Sequence, residues 1–292
     1  MKKTIVAFGL LFILVLACKK ESTILEPISS QELPQTTPST LKKENLAESI
    51  VRTETDLILN LKSADTEKAN QLYDIFRAKM DTLVKQINIR EEFLTDNYYS
   101  IFYDEKNKKN TVPDAIKAKM KFFEMAGLEI SEVGEGFVEI RKKPYYFYNL
   151  FKNYVSEDYK EYLKLEAEDN AELFQADAEI IVSLEEVTHR TLKWEQFLNR
   201  FPKSRQFKNA RKTYGDYLYA FLVGYDNTPV ITDDRKSIYP ENQKEFDKVI
   251  AEYPETVTAK MIAFLYKMLA KSYDNNLNDA IGKEQQQYLT GK

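Results

Sequence analysis

The side chains that most often carry out enzymatic chemistry are scarce in this chain. Of its 292 residues, one is histidine and one is cysteine. A catalytic triad or a histidine-rich metal site would depend on His189, which the helical spacing of its neighbours places opposite an apolar face. Gly134-Glu135-Gly136 lacks the third glycine and the following helix of a nucleotide-binding motif. We therefore predict no catalytic residue, no metal site and no cofactor.

Carboxylates are abundant, and two of them at a suitable separation can hydrolyse a glycosidic bond. The adjacent acids Glu185/Glu186 and Asp233/Asp234, and the group Glu166, Glu168 and Asp169, have the spacing of solvated helix faces and loops. The sequence singles out no pair. An enzyme is therefore the third hypothesis, because only proximity in three dimensions can reveal a catalytic pair.

The N-terminus has the pattern of an export signal. Lys2-Lys3 precedes an apolar run over residues 5–17, which ends immediately before Cys18. A basic start, a short apolar stretch and a small residue before the cleavage point are typical of a secretory signal peptide. A transmembrane helix needs about 20 apolar residues, more than this run contains. We predict that residues 1–17 are a signal peptide.

Val15-Leu16-Ala17-Cys18 resembles the lipobox of bacterial lipoproteins. The resemblance implies that Cys18 is diacylated, becomes the new N-terminus and anchors the protein to a membrane. Lys19 follows where inner-membrane retention requires aspartate, which implies sorting to the outer membrane. Cys18-Lys19-Lys20-Glu21 is also similar to a signal that sends some Gram-negative lipoproteins to the cell surface. Residues 18–40 are rich in Pro, Ser, Thr and Gln, a composition that predicts a flexible, lipidated tether.

From residue 41 onward the composition favours helices. The chain has eight glycines, well below the usual share of about 7%. Most segments have apolar residues at helical spacing, whereas LEIS and FVEI alternate about a glycine turn. We predict a mainly α fold of repeat-like helix pairs with one small β-hairpin near residues 128–141. The expected regions are an α-rich N-terminal part, 41–155, and a repeat-like C-terminal part, 156–292.

The clearest helix pair lies in Ser183–Leu222, where two apolar stripes meet at Phe201-Pro202-Lys203-Ser204. Ser183 and Glu186 have the spacing of a capping box at the start of the first helix. Pro202 cannot donate an amide hydrogen and disfavours helical geometry in the preceding residue, so the first helix should end there. Ser204 is placed to cap the second helix.

The same joint returns 52 residues later as Tyr253-Pro254-Glu255-Thr256. Corresponding residues are similar on both sides of the proline, as a repeated helix pair requires. The alternative is that any two amphipathic helices joined by proline look alike. The matched pairs include Trp194 with Phe246, Glu195 with Asp247, Phe197 with Val249, Ala210 with Ile262 and Tyr214 with Tyr266.

An aromatic-Pro-x-Ser/Thr joint between amphipathic helices resembles the junction of tetratricopeptide-like repeats, including those of envelope lipoproteins. Trp194 and Pro202 have the aromatic-to-proline spacing of these repeats, whereas Phe197 stands where a small residue is usual. The offset also exceeds the usual period of about 34 residues. The insertion Asp226–Gln243 would account for the excess.

The function predicted from these features is a non-catalytic envelope lipoprotein that binds or scaffolds another protein. A net charge of −4 with interspersed lysines argues against nucleic acid as a partner. The resemblance implies a protein partner in the cell envelope, with the membrane contacted through the lipid on Cys18. Trp194, Phe201 and Pro202, near the joint, are the candidate interaction surface, together with the insertion Asp226–Gln243.

The alternative is capture of a glycan or another ligand at the cell surface, in partnership with a transporter. It rests on the segment from Tyr145 to Tyr154, in which Tyr145, Tyr146 and Tyr148 are candidate contact residues. Exposed tyrosines can stack on sugars or anchor interfaces. The competing interpretation of this segment is that its aromatic residues fill the core between helices.

Overall fold

Helices make up most of the structure. The computed structural model describes residues 45–271, except 235, and residues 277–290. The predicted signal peptide, Cys18 and the tether lie outside the described residues. Within the described ranges the chain forms twelve α-helices and four antiparallel two-stranded hairpins. This confirms the prediction of a mainly α, repeat-like fold.

The helices follow the apolar spacing of the sequence, and polar residues mark where several of them begin. Asp65, for example, precedes a long apolar pattern, which predicts a helix start near this residue. It accepts a hydrogen bond from the Lys68 amide at 2.7 Å and caps the second helix, which confirms that prediction. In chain order the helices are α1 (Leu46–Leu61), α2 (Thr66–Arg90), α3 (Glu92–Asp96), α4 (Tyr98–Phe102), α5 (Lys117–Met125), α6 (Tyr146–Phe151), α7 (Glu157–Ala171), α8 (Leu184–Arg200), α9 (Phe207–Val223), α10 (Pro240–Glu252), α11 (Val257–Ala270) and α12 (Leu277–Thr290).

The predicted β-hairpin is confirmed, and three shorter hairpins accompany it. In the main hairpin Ile130 lies opposite Ile140, and the turn at Gly134-Glu135-Gly136 has positive φ at all three residues. The short strands were missed because two residues are too few to give an alternating pattern. The strands are β1 (Tyr103–Asp104), β2 (Lys109–Asn110), β3 (Leu128–Gly134), β4 (Phe137–Lys142), β5 (Gln175–Ala176), β6 (Glu179–Ile180), β7 (Gly224–Tyr225) and β8 (Thr228–Pro229).

Two details of the helices differ from the sequence prediction. The helical spacing of Leu72, Ile75 and Phe76 predicts that Ile75 faces the core, but its side chain is 66% exposed, and Tyr73 faces the core instead. The capping box of α8 is only half formed. The Ser183 hydroxyl accepts from the Glu186 amide at 3.1 Å, whereas the Glu186 carboxylate accepts from the Arg190 guanidinium at 2.7 Å.

The C-terminal helices form two layers. The first helices of the two predicted pairs, α8 and α10, pack on each other, and so do the second helices, α9 and α11. Between the layers lie fully buried side chains such as Phe221 and Phe246, whose ring centroids are 4.8 Å apart. The last helix, α12, covers α9 and α11. All described residues belong to one compact unit, and the boundary between residues 155 and 156 stays a prediction.

The two proline joints have the same backbone structure as far as Ser204 and Thr256. Phe201 and Tyr253, which end α8 and α10, have φ/ψ of −125°/56° and −131°/48°. The amide of each donates to the residue four positions earlier, at 2.9 and 2.8 Å. The amides of Ser204 and Thr256 donate back to Phe201 and Tyr253, each at 3.1 Å.

The two joints differ in how the next helix begins. Thr256 caps α11, and its hydroxyl accepts from the Ala259 amide at 3.1 Å. The prediction that Ser204 caps the second helix was wrong, because α9 begins at Phe207 and its N-cap is Gln206.

Hydrogen bonds between the layers repeat as well. The Tyr214 hydroxyl on α9 donates to Glu195 on α8 at 3.1 Å, and the Tyr266 hydroxyl on α11 donates to Asp247 on α10 at 2.7 Å. Both pairs are 19 residues apart in the chain. The correspondence between the two helix pairs therefore extends from residue types to specific contacts.

Glu195 also connects one helix pair to the next. Its carboxylate is 97% buried and accepts hydrogen bonds from the Val257 and Thr258 amides at 2.6 and 3.1 Å. The Thr258 hydroxyl donates to it at 2.6 Å. The first amides of α11 have no partner within their own helix, so a carboxylate from α8 satisfies them and also complements the helix dipole.

No helix among the described residues has both the length and the apolar character required to cross a membrane.

Candidate functional site

Trp194 does not lie on the surface. Its side chain is 2% exposed and packs edge-on against Tyr162, with ring centroids 5.7 Å apart. The indole N–H donates to the Asp169 carboxylate at 2.7 Å. The expectation that Trp194 belongs to an interaction surface was therefore wrong, because Trp194 occupies the apolar face of α8, two helical turns from the fully buried Val187.

The rest of the joint is more accessible. Phe201 is half-buried against Phe197, with centroids 5.2 Å apart, and the Arg200 guanidinium lies 4.8 Å from the Phe201 centroid. Pro202 is exposed. Arg205, just after the joint, forms an ion pair with Glu67 at the start of α2, with an N–O distance of 2.6 Å. A partner contact at Phe201 and Pro202 stays a prediction.

The aromatic segment after Pro144 contributes mainly to the core. Tyr146 donates to the Glu54 carboxylate at 2.6 Å, and burial together with this bond raises the pKa of its phenol. The Lys142 ammonium lies 3.3 Å from the Tyr146 ring centroid, and burial lowers its pKa to about 7. Phe147 and Phe151 are buried. Tyr146 is half-buried, and its ring and hydroxyl already contact Lys142 and Glu54, so a sugar contact at Tyr146 stays a prediction.

Tyr145 and Tyr148 remain partly accessible. Their rings meet edge-to-face, with centroids 6.4 Å apart. Tyr145 is 41% exposed, whereas Tyr148 is half-buried with the Lys152 ammonium 5.2 Å from its ring centroid. Two perpendicular rings do not form a flat platform for a sugar, so this pair alone makes a poor stacking site.

A second exposed region lies in the segment between α2 and α7, residues 91–155, which we call the inserted module. Phe93 on α3 is 75% exposed and Phe137 on β4 is 66% exposed, and α3 packs against β4. Tyr99 on α4, 42% exposed, lies beside the Gly136 turn. We call these three residues the aromatic surface. Eight of the sixteen exposed large hydrophobic residues in the described chain lie between positions 89 and 137, namely Ile89, Phe93, Tyr99, Tyr103, Val112, Met125, Val133 and Phe137.

A groove lies on another part of the body. It consists of an outer cavity of about 350 Å³ and an inner cavity of about 330 Å³, whose walls share Arg141, Glu166 and Asn170. The outer cavity lies between α2, β4 and α7. The inner cavity lies between α7, α8 and α9, with Trp194 and Tyr217 in its wall. We call both cavities together the groove.

Both arginines of the outer cavity form ion pairs. The Arg77 guanidinium donates to Glu166 at 2.7 Å and to Asp81 at 3.0 Å. Arg141 donates to Glu129 at 2.9 Å. The charges of these residues therefore largely offset one another.

Asp169 is the central polar group of the inner cavity. Burial raises its pKa to about 6, although the hydrogen bond from Trp194 and the charge of Arg190 act in the opposite direction. The Arg190 guanidinium lies 4.0 Å from the Asp169 carboxylate and also contacts Glu172 at 3.2 Å. Tyr217, which interacts with Asp169 and Arg190, has its pKa raised by burial.

Uncharged polar groups complete the inner cavity. The side chains of Asn170 and Gln175 are exposed and form no hydrogen bond with any described residue. Thr213 donates to the Asn209 carbonyl at 3.3 Å and retains acceptor capacity. Phe174, half-buried, packs edge-on against Tyr217 with centroids 4.8 Å apart. The cavity thus combines aromatic walls with free amides.

Sequence reasoning missed the groove. Glu166 and Asp169 were read as a solvated face of α7, because an acidic segment gives no sign of what packs on it. One signal in the sequence could have revealed the groove. A buried tryptophan needs an acceptor for its indole N–H, and the acid-rich helix α7 precedes Trp194 in the chain and provides one, Asp169. In the described ranges, no cluster of His, Cys, Asp and Glu has the arrangement of a metal site.

Comparison with protein-family models, with curated proteins and with solved structures found no match to this chain.

Proposed function

We propose that this protein is a lipid-anchored component of the cell envelope whose helical body binds another protein and catalyses no reaction. The observation that carries this proposal is the aromatic surface of the inserted module. A large, contiguous exposed apolar area on a folded protein commonly marks a binding site, whereas exposed apolar residues that are scattered singly are normal. Aromatic side chains are also the commonest energetic anchors of protein interfaces.

The surroundings of the aromatic surface indicate the kind of partner. Four exposed acids lie near Phe93 and Phe137 in the chain, namely Glu92 and Asp96 on α3, Glu132 on β3 and Glu135 in the turn before β4. An apolar centre with an acidic rim fits a partner whose apolar pocket has a basic rim, because complementary charge at the rim aids association. The anchor in this proposal is the lipid on Cys18, on the strength of the lipobox resemblance. The outer membrane is the favoured location.

The test is affinity purification of the tagged, full-length protein from cross-linked, detergent-solubilised envelopes. Phe93→Ser and Phe137→Ser should each abolish or strongly reduce recovery of a near-stoichiometric protein partner. The matched control is Ile75→Ser, because Ile75 is equally exposed, at 66%, but lies on α2 outside the inserted module. A protein that is recovered alone, or whose partner is lost equally with Ile75→Ser, would contradict the proposal.

A second function, ligand capture at the cell envelope, is favoured by one specific observation. The groove offers an open, aromatic-lined cavity with free amide groups, and small-ligand sites commonly combine apolar walls with a few polar groups. This function does not require the aromatic surface, and the two proposals can therefore fail separately.

A further inference from the structure

We propose that the inner cavity of the groove binds an uncharged sugar residue. This inference rests on the second function, ligand capture, and is independent of the protein-binding proposal. The ligand class follows from three properties of the cavity, which are its walls, its charge and its free hydrogen-bonding groups.

The walls suit a ring with apolar faces and polar edges. Trp194, Tyr162 and Tyr217 are each less than a tenth exposed and close the floor, whereas Phe174 leaves part of its ring accessible. The faces of pyranose rings carry C–H groups that pack on aromatic rings. A volume of about 330 Å³ lies at the lower end of the range for small-ligand sites, about 300–1,000 Å³. It therefore fits one or two sugar units better than a long chain.

The charge distribution selects against ions. Glu166 is paired with Arg77, and Glu172 and Asp169 are both close to Arg190. A charged ligand would have to break one of these pairs, which leaves a partly buried charge without a partner. An uncharged ligand can enter without disturbing them.

The free groups match hydroxyls. The amides of Asn170 and Gln175 each provide two N–H donors and a carbonyl acceptor, and neither side chain is committed to the described protein. Neighbouring sugar hydroxyls both donate and accept, so one amide can bond to two of them. Asp169 lies deeper and can accept from a third hydroxyl while it keeps its bond to Trp194.

The experiment uses the full-length protein in detergent micelles, with Trp194 as an internal probe, since it is the one tryptophan of the chain. Cellotriose, mannotriose, galactotriose and N-acetylchitotriose are titrated while Trp194 emission is recorded, and calorimetry measures the same affinities. Trigalacturonic acid serves as the charged comparator. At least one neutral trisaccharide should bind and change the emission, and trigalacturonic acid should bind more weakly than that sugar.

Two variants link binding to the cavity. Asn170→Ala and Gln175→Ala remove exposed side chains, so the fold should persist, and each should weaken binding by about 2- to 10-fold. Asn199→Ala, an exposed asparagine on α8 outside the groove, is the control and should bind as the unmodified protein does. The inference is overturned if no neutral sugar binds at millimolar concentration, if trigalacturonic acid binds best, or if both groove variants retain full affinity. None of these results affects the protein-binding proposal, which is tested separately by recovery of a partner with the Phe137→Ser variant.

Discussion

Asp74 on α2 accepts a hydrogen bond from the Tyr159 hydroxyl on α7 at 2.8 Å, and it also accepts from the Gln206 side chain, at the N-cap of α9, at 3.1 Å. Glu195 on α8 accepts in a similar way, from Tyr214 on α9 and from the N-terminus of α11. In both places a carboxylate joins a tyrosine of one helix to the start of another. The bond from Tyr159 to Asp74 connects α7 to α2 across the inserted module.

Removal of the Glu195 carboxylate should destabilise the protein strongly. Glu195→Ala leaves the Val257 and Thr258 amides without an acceptor. The Tyr214 and Thr258 hydroxyls, 3.1 Å apart, can still bond to each other. We expect the free energy of unfolding to fall by about 3–4 kcal/mol. Glu195→Gln keeps one acceptor oxygen and should cost about 1–2 kcal/mol. Urea denaturation followed by circular dichroism measures both values.

The control for Glu195 is Glu255→Ala at the second joint. Its side chain is 96% exposed, so the change should stay within about 0.5 kcal/mol. A Glu195→Ala protein as stable as the Glu255→Ala protein would show that the buried carboxylate does not hold α11 in place.

Asp169 should make both stability and fluorescence depend on pH. Its folded pKa, about 6, lies above its ordinary value of 3.8, so between these values the folded state binds the proton more tightly than the unfolded state. This contribution to stability is fully present below about pH 4, is lost as the pH rises through 6, and amounts to on the order of 2 kcal/mol. Trp194 emission should titrate with a midpoint near 6.

Asp169→Asn tests this assignment, because the amide oxygen can still accept from the Trp194 indole. Relative to the unmodified protein, the variant should gain stability between pH 4.5 and 7, and its emission should no longer change near pH 6. If both proteins give the same pH profile, the titrating group is not Asp169.

Replacing each of two glycines by alanine should change the stability of the protein in opposite directions. Gly224 has φ of +78°, and an added Cβ would overlap the Thr228 carbonyl oxygen. Gly224→Ala should cost about 3 kcal/mol or more. Gly282, within α12, has no atom within 4 Å of an added Cβ, so Gly282→Ala should raise stability by about 0.5–1 kcal/mol. Thermal denaturation of the two variants tests both signs, and a stable Gly224→Ala protein would contradict the turn geometry.

Cys18→Ala tests the proposed anchor. The substitution removes the thiol that would carry the diacylglycerol, so the protein should no longer incorporate radiolabelled palmitate and should leave the membrane fraction. Lys19→Ala keeps the cysteine and should still be labelled. Equal labelling of the Cys18→Ala protein would mean that the lipid, if present, is attached elsewhere.

Features with a local signal could be predicted from the sequence. The joint at Pro202, the cap at Asp65 and the hairpin around Gly134 each depend on residues a few positions apart, and all three are present. Asp74 and Tyr159 are 85 residues apart, and Arg77 and Glu166 are 89 apart. No periodic pattern connects positions at such separations, so the contacts between α2 and α7 and the groove became visible only in three dimensions.

The error at Trp194 has a physical cause. Aromatic side chains often anchor partners, which favours a surface position, yet the indole N–H of Trp194 finds an acceptor inside the fold, the Asp169 carboxylate. A buried aromatic residue with a satisfied polar atom cannot be distinguished by residue type from an exposed one.

The bond network of Glu195 also limits how this chain can change in length during evolution. Arrays of helix pairs commonly gain or lose units through recombination, because each unit contacts only its neighbours. Loss of the gene segment that encodes α10 and α11 would leave the buried Glu195 carboxylate without the amides that donate hydrogen bonds to it. Deletion of that unit would therefore require a compensating substitution at position 195. We expect the two C-terminal helix pairs to be retained or lost together.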